Sequence, residues 1–228
     1  MKTFSQRRHS RGAGVFLRMV LWCFMSNLDK LIRLFEQFPG IGARQAKRFA
    51  FHILTLPETD TRELSELIAD LQGSVIECTS CRRFFARNGG GNECNICSDG
   101  ERDRTKLMVI SQDNDITAIE RSGVYDGLYF VLGGTLPLLD KKEQNKLRGN
   151  GLKHVVEERL GQELTEVILG FAVNPDGENT SRYVEKLLED TLKDTPVTIS
   201  HLGRGLSTGS ELEYADADTI KNALTNRS

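Results

Sequence analysis

At 228 residues, 39% hydrophobic and 27% charged, the chain can bury one or two ordinary cores, which excludes a mainly disordered or fibrous protein. Its formal net charge of −2 excludes a globally basic surface, so any nucleic-acid binding has to come from a local patch. Four of the five cysteines form two C-x-x-C pairs, which suggests metal ligands in a reducing compartment rather than a disulfide framework.

At the N-terminus, Lys2, Arg7, Arg8 and Arg11 precede an apolar run from Val15 to Met25 and superficially imitate a signal peptide. Arg18 interrupts the run, no small-residue cleavage site follows, and about eleven residues cannot span a bilayer as a helix. The preferred reading is a dispensable or mis-assigned extension, residues 1–26, with the functional start near Met25; a secretory leader is the alternative. Cys23 lies in this stretch.

From Asn27, read as an N-cap, Leu28, Leu31, Ile32, Phe35 and Phe38 follow helical spacing. After Pro39-Gly40-Ile41-Gly42, a second stripe contains Ala43, Ala46, Phe49, Ala50, Ile53 and Leu54, while Arg44, Lys47 and Arg48 point elsewhere. Pro57 ends this pair. Asp60 and Glu63 resemble a capping box for a third helix carrying Leu64, Leu67, Ile68, Leu71 and Val75. Residues 77–104 are predicted to be loop-rich, holding the cysteines, Gly89-Gly90-Gly91 and several arginines. Beyond them, 106–111, 127–132, 166–173 and 196–200 read as strands, separated by helical patterns around 115–121, 151–160 and 179–192. This alternation predicts an α/β architecture with a largely parallel sheet. A tail helix capped near Asp216 or Asp218 closes the chain.

The glycine turn carries the first functional expectation. Gly40 and Gly42 let the backbone turn sharply and expose amides at the start of the second helix, where free N–H groups and the helix dipole favour a phosphate. Arg44 and Arg48, one turn apart, would flank the same phosphodiester track, with Lys47 beside them, giving affinity without reading bases. The pattern resembles a helix-hairpin-helix DNA-binding motif. The alternative is an ordinary helical hairpin with a solvated cationic face.

Cys78, Cys81, Cys94 and Cys97 carry the second. Each C-x-x-C turn delivers two thiolates, and four of them fill a tetrahedral Zn²⁺ shell without leaving room for water, so the expected role is structural. Arg82, Arg83 and Arg87 would offset the thiolate charge. Two disulfides, free thiols or an iron–sulfur site are the alternatives. Asp113, Asp115, Asp176 and Glu178 gather at strand ends, where hard oxygens would suit Mg²⁺. The preferred reading of those acids is turn formation and helix capping by Asp113, Asp115 and Asp176. His9, His52, His154 and His201 form no metal or triad pattern, Gly133-Gly134 and the Gly203–Gly209 segment read as turns, and Ser111 lacks a nucleophile context.

Taken in order, the hairpin, the four-cysteine finger, "ITAIERSGVYDGLYFVLGGTLPLLD", "EVILGFAVNPDGENTSRYVEKLL" and "GRGLSTGSELEYADADTIKNAL" resemble the RecR family of bacterial recombination mediators, from about Asn27 to Arg227. That resemblance implies a helix-hairpin-helix region at 27–77, a zinc finger at 78–104, a Toprim domain at 105–200 and an oligomerisation tail at 201–228. It further implies a cytoplasmic, nucleoid-associated protein that is not an enzyme. Subunits would form ring-like tetramers around DNA and, with RecO and in some settings RecF, load RecA onto single strands coated by single-strand binding protein. Family DNA contacts fall on Arg44 and Arg48.

Three positions depart from the family pattern: Ser111 stands where a Toprim glutamate is usual, Phe130 where a histidine is usual, and Asp176 where the "EGE" loop has glutamate. Loss of the first glutamate removes the natural general acid or base of a catalytic Toprim enzyme. The rival functions are a Mg²⁺-dependent Toprim enzyme, nuclease or primase-like, and a zinc-stabilised interaction module without DNA binding.

Overall fold

A computed structural model describes residues 25–87, 90–138, 145–203, 205–206, 209, 211–215 and 217–225. The proposed extension, Cys23 and the Asp216 cap lie outside the described residues. The chain divides into two compact units, one ending at Leu71 and the other starting at Gln72.

The first unit is helical. Helix α1 (Asn27–Phe35) is capped by Ser26 rather than Asn27: the Ser26 backbone is extended and its hydroxyl accepts from the Asp29 amide at 3.1 Å. The predicted cap was one residue late because Asn27 already has helical geometry and Ser26 offers the acceptor. Ile32 of α1 meets Ala46 and Ala50 of α2 (Ala43–Ile53), with Leu28, Leu31, Phe35 and Ile41 packed around them. Two alanines let the helices approach closely, and Phe35 adds edge-on contacts to Phe38 and Phe49 at 5.8 and 5.9 Å.

Helix α3 (Glu58–Ser74) begins immediately after Pro57, so Asp60 and Glu63 lie inside it instead of capping it. Glu58 and Asp60 occupy the first turn, where carboxylates favour the helix dipole. The helix stops at Ser74, and Val75 opens a strand rather than completing the helical stripe. None of its side chains is buried in the chain, and Leu67 and Ile68 are more than 60% exposed.

The second unit starts with a small antiparallel hairpin, β1 (Val75–Glu77) and β2 (Phe84–Ala86), which the loop-rich expectation for 77–104 missed. Three-residue strands are too short for alternation to be legible. Next come β3 (Asp103–Ile110), α4 (Asp113–Ser122), β4 (Gly127–Val131), α5 (Gly149–Leu160), β5 (Glu166–Gly170), α6 (Pro175–Leu192) and β6 (Thr198–His201), then a short 3₁₀ turn (Leu212–Tyr214) and α7 (Ala217–Thr225). Asp218 lies within α7 rather than before it. The four long strands form a parallel sheet in the order β4-β3-β5-β6, as the alternating pattern predicts. Strand β5 ends three residues before the apolar run does, because the chain turns at once and the Asn174 amide donates to the Ala172 carbonyl.

Leu107, Met108, Val109 and Ile110 are consecutively buried, as a central parallel strand covered on both faces requires. Strand β4 sits at the sheet's edge and is nonetheless buried at all five positions. Leu152, Val155 and Val156 of α5 and Val184 and Leu188 of α6 complete the core. Gly133 and Gly134 leave β4 at φ values of 94° and 149°, confirming a glycine-dependent turn.

A polar network crosses this unit. Arg102 donates to both Glu120 oxygens, with the Oε1 contact at 2.9 Å, and the Tyr129 hydroxyl donates to Glu120 at 2.6 Å. The Arg102 bond holds the Glu120 carboxyl below the usual carboxylate range. A depressed native pKa stabilises the fold above the unfolded value, about 4.3, and that contribution disappears as pH falls through the native one. Glu120→Gln is therefore expected to cost about 1–3 kcal/mol at pH 7 and less at pH 3, read from urea midpoints at the two values. An equal cost at both would remove the ion pair from the account.

Among the described residues, no helix is long and apolar enough to cross a membrane.

Candidate nucleic-acid interface and metal centre

The bend between α1 and α2 is a type II turn. Pro39 and Gly40 hold its centre, the Ile41 amide donates to the Phe38 carbonyl at 3.0 Å, and Gly40 has φ 76°, a left-handed value that glycine adopts without strain. Gly42 is different. Its φ of −86° suits any residue, and a Cβ there would meet nothing within 4 Å. What glycine does at this N-cap is withhold a side chain: α2 has no side-chain cap, so the Ala43 and Arg44 amides meet no capping side chain, while the Gln45 amide already donates to the Gly42 carbonyl at 3.0 Å. Arg44, Lys47 and Arg48 are exposed on the helix that starts there, and Arg48 makes only a long contact, 3.5 Å, to Gln45. The turn thus brings open donors and three cations into one short stretch.

In the second unit, the Sγ atoms of Cys78, Cys81, Cys94 and Cys97 lie within 4.8 Å of one another, and all four residues are buried. Among the described residues, this is the one group of three or more histidine, cysteine or acidic side chains whose ligand atoms converge. The Cys81 and Cys94 sulfurs are 3.6 Å apart. A disulfide needs about 2.0 Å, whereas a tetrahedral ion with metal–sulfur bonds of about 2.3 Å spaces its sulfurs by about 3.8 Å. The donor set therefore fits a single metal ion. A multi-iron cluster would hold the sulfurs further apart.

Local backbone bonds build the cage. The β1–β2 hairpin carries the first C-x-x-C in its turn, closed by the Cys78 amide donating to the Arg83 carbonyl at 2.8 Å. Arg82 takes the left-handed conformation, φ 64°, that the turn demands. The Cys94 amide donates to the Cys78 sulfur at 3.3 Å, joining the two knuckles. The hydrogen bond with Cys81 drives Cys78 below the ordinary thiol range, while the one with Cys78 drives Cys97 up. The cysteines also belong to the same continuous core as β3, β4, α5 and α6, and the Val131 amide of β4 donates to the Cys81 carbonyl at 2.8 Å. This finger has no core of its own.

The strand-end acids have separate tasks. Asp115 accepts from the Gln112 amide at 2.9 Å and from the Ser111 hydroxyl at 2.7 Å, so it supports the start of α4 from its third helical position. Asp113 is not a cap; it accepts from the Phe84 amide of β2 at 2.7 Å. Asp176 is not one either, because Asn174 caps α6 by accepting from Gly177, and Asp176 accepts from the Leu138 amide at 3.2 Å. Caps and chain fasteners use the same residue types, and only the fold shows which backbone segment comes within reach. Glu178 pairs with Arg182 at 3.7 Å on the same helix.

A helical hairpin with open amides, a four-cysteine metal knuckle and a parallel sheet of this order together define a helix-hairpin-helix and Toprim protein. Family-level comparisons agree: the RecR helix-hairpin-helix family matches residues 28–71, the Toprim domain matches 105–203 and the RecR C-terminal family matches 205–228. The chain is 36% identical over 200 residues to Recombination protein RecR of Moorella thermoacetica, covering 88% of this chain and 95% of that one. It is also 36% identical over 200 residues to its namesake in Bifidobacterium longum, with 88% and 94% coverage. Against that of Prochlorococcus marinus it is 34% identical over 209 residues, with 92% and 98% coverage. The chain belongs to the RecR family of DNA recombination and repair proteins.

Proposed function

We propose that this protein is a non-catalytic recombination mediator that grips DNA through the hairpin and is held in shape by a structural zinc ion. The observation that carries the reading is the glycine N-cap of α2, which leaves the Ala43 and Arg44 amides without a capping side chain beside exposed Arg44, Lys47 and Arg48. In this reading Gly40 shapes the turn, Gly42 keeps the donors free, and the three cations hold adjacent phosphates without reading sequence. Zinc is favoured because four buried thiolates suit a tetrahedral ion with no open position.

The absence of catalysis is supported by Ser111, whose hydroxyl is engaged with Asp115, and by Asp113 and Asp176, whose carboxylates fasten distant backbone amides. Any weak Mg²⁺ or partner contact at Asp113, Asp115, Asp176 and Glu178 is secondary to those tasks. The apolar residues on α3 that the chain leaves exposed, among them Leu64, Leu67 and Ile68, support a homo-oligomer, with a tetramer as the family expectation. Family resemblance further supports a RecO-type partner, with RecF in some settings, and RecA loading onto coated single strands in the cytoplasm.

Arg44→Ala combined with Arg48→Ala is expected to weaken DNA binding and to flatten the slope of log affinity against log salt by up to about two charges, since each lost phosphate contact releases fewer counterions. Fluorescence anisotropy with gapped DNA between low and physiological salt measures this. An unchanged slope would take the hairpin out of the DNA site, and Mg²⁺-dependent cleavage or synthesis on the same DNA would take away the non-catalytic reading.

A further inference from the structure

A cleft of about 330 Å³ opens in the second unit outside the carboxyl ends of β3 and β4, a place where open parallel sheets take ligands. Phe84 of β2, Asp113 and Asn114 at the start of α4, Val131 and Gly133 at the end of β4, and Arg148 just before α5 line it. Asp176 and Glu178 do not, so the cleft is separate from the acids that follow β5.

Two of these side chains form a platform. The Phe84 ring is 53% exposed, and the Arg148 guanidinium carbon lies 5.7 Å from its centroid. Arg148 is held in place: one terminal nitrogen donates to the Val131 carbonyl at 3.2 Å and the other lies 3.5 Å from Glu77. Gly133 leaves room for it, since a Cβ there, at φ 94°, would press on the guanidinium at 3.2 Å. A fixed guanidinium beside an exposed ring gives a surface on which a planar group can stack.

The polar groups narrow the choice. Glu77 is shared by Arg148 and Arg82, at 3.5 and 3.6 Å, and Asp113 supplies a second carboxylate, so two positive and two negative charges balance and little is left over to attract a phosphate. Asp113 can accept a hydrogen bond, and the amide of exposed Asn114 can both donate and accept. An uncharged planar group with donors and acceptors along its edge satisfies all of these features, and a nucleobase is such a group. A Phe, Tyr or Trp side chain from a protein has at most one polar edge atom.

Resting on the DNA-binding reading above, we infer that this cleft holds an unpaired base of single-stranded DNA, stacked on Phe84 and Arg148 with its edge turned to Asp113 and Asn114. A duplex has no free base to give it. The hairpin cations hold phosphates and so serve single strands and duplexes alike. The cleft adds a preference for the single strand, and the second unit carries it.

The test is fluorescence anisotropy of the full chain with a labelled oligo-dT strand and with a duplex of equal length, plus the emission of a strand carrying 2-aminopurine, which falls when that base stacks on a ring. Phe84→Leu, apolar but unable to stack, is expected to weaken single-strand binding about fivefold or more, to leave duplex binding within about twofold and to abolish the emission change. Phe84→Trp, which keeps a ring, stays within about threefold of the parent on both DNAs. Unchanged single-strand affinity in Phe84→Leu overturns the inference and leaves the cleft to a protein side chain. An equal loss on both DNAs, or in both variants, also overturns it, because either marks a packing role. If Phe84→Leu does not fold, Asn114→Ala at the exposed rim decides: a loss of about threefold confined to the single strand supports the cleft and no loss overturns it. A parent chain that binds neither DNA removes the DNA-binding reading and this inference with it, whereas a parent that binds both DNAs beside unaffected variants removes the cleft alone.

Discussion

Cys94→Ser is expected to release the bound metal and to take most of the stability of the second unit with it, on the order of 5 kcal/mol or more. Structural zinc contributes about 10–16 kcal/mol of apparent binding free energy in small finger peptides, which is comparable to the entire stability of an ordinary domain. In many proteins a finger is a separate module whose loss is local. Here the four cysteines share one apolar core with β3, β4, α5 and α6, and the Cys81 carbonyl holds the end of β4, so the damage has no boundary at which to stop. Elemental analysis with thermal unfolding followed by circular dichroism measures both effects. Full metal content, or an unchanged midpoint after metal removal, would show that the cage is not a metal-dependent keystone.

The second large effect is expected at Gly177. A Cβ placed there would sit 1.9 Å from the Ala172 carbonyl oxygen and 2.9 Å from its carbon, both backbone atoms that no rotamer change can move. The glycine amide also donates to the Asn174 cap at 2.8 Å, so the helix start cannot shift away without breaking its own cap. Gly177→Ala is expected to destabilise the protein by about 2–4 kcal/mol, at the upper end of overpacking effects. Denaturant unfolding checks this. A cost under about 0.5 kcal/mol would mean the β5–α6 loop is far more pliable than its bonding implies. The glycine of the Asp176-Gly177-Glu178 turn is thus explained by backbone crowding at the mouth of α6, without any appeal to chemistry.

What could be read in advance was whatever depends on short-range chemistry with few alternatives. Cysteine spacing revealed the cage, because two C-x-x-C turns bring four sulfurs together with little help from the rest of the fold. The Phe38–Ile41 turn was legible because proline followed by glycine selects one turn type. The parallel sheet was legible because fully buried strands read as unbroken apolar runs, as in Leu107–Ile110. Asp113 and Asp176 misled, since a carboxylate before a helix looks like a cap until the fold brings Phe84 and Leu138 within its reach. Val75 misled because one apolar residue fits a helical stripe and a three-residue strand equally well.

Strand β4 has one consequence for life in a metal-poor cell. It is the outermost strand of its sheet, and the knuckle carbonyl of Cys81 occupies the amide at its far end. Starved of metal, the cage would loosen at that contact and leave the Val131 amide at the edge of the sheet without its acceptor, a foothold for a neighbouring chain. The ion would then act as a guard against self-association through that edge.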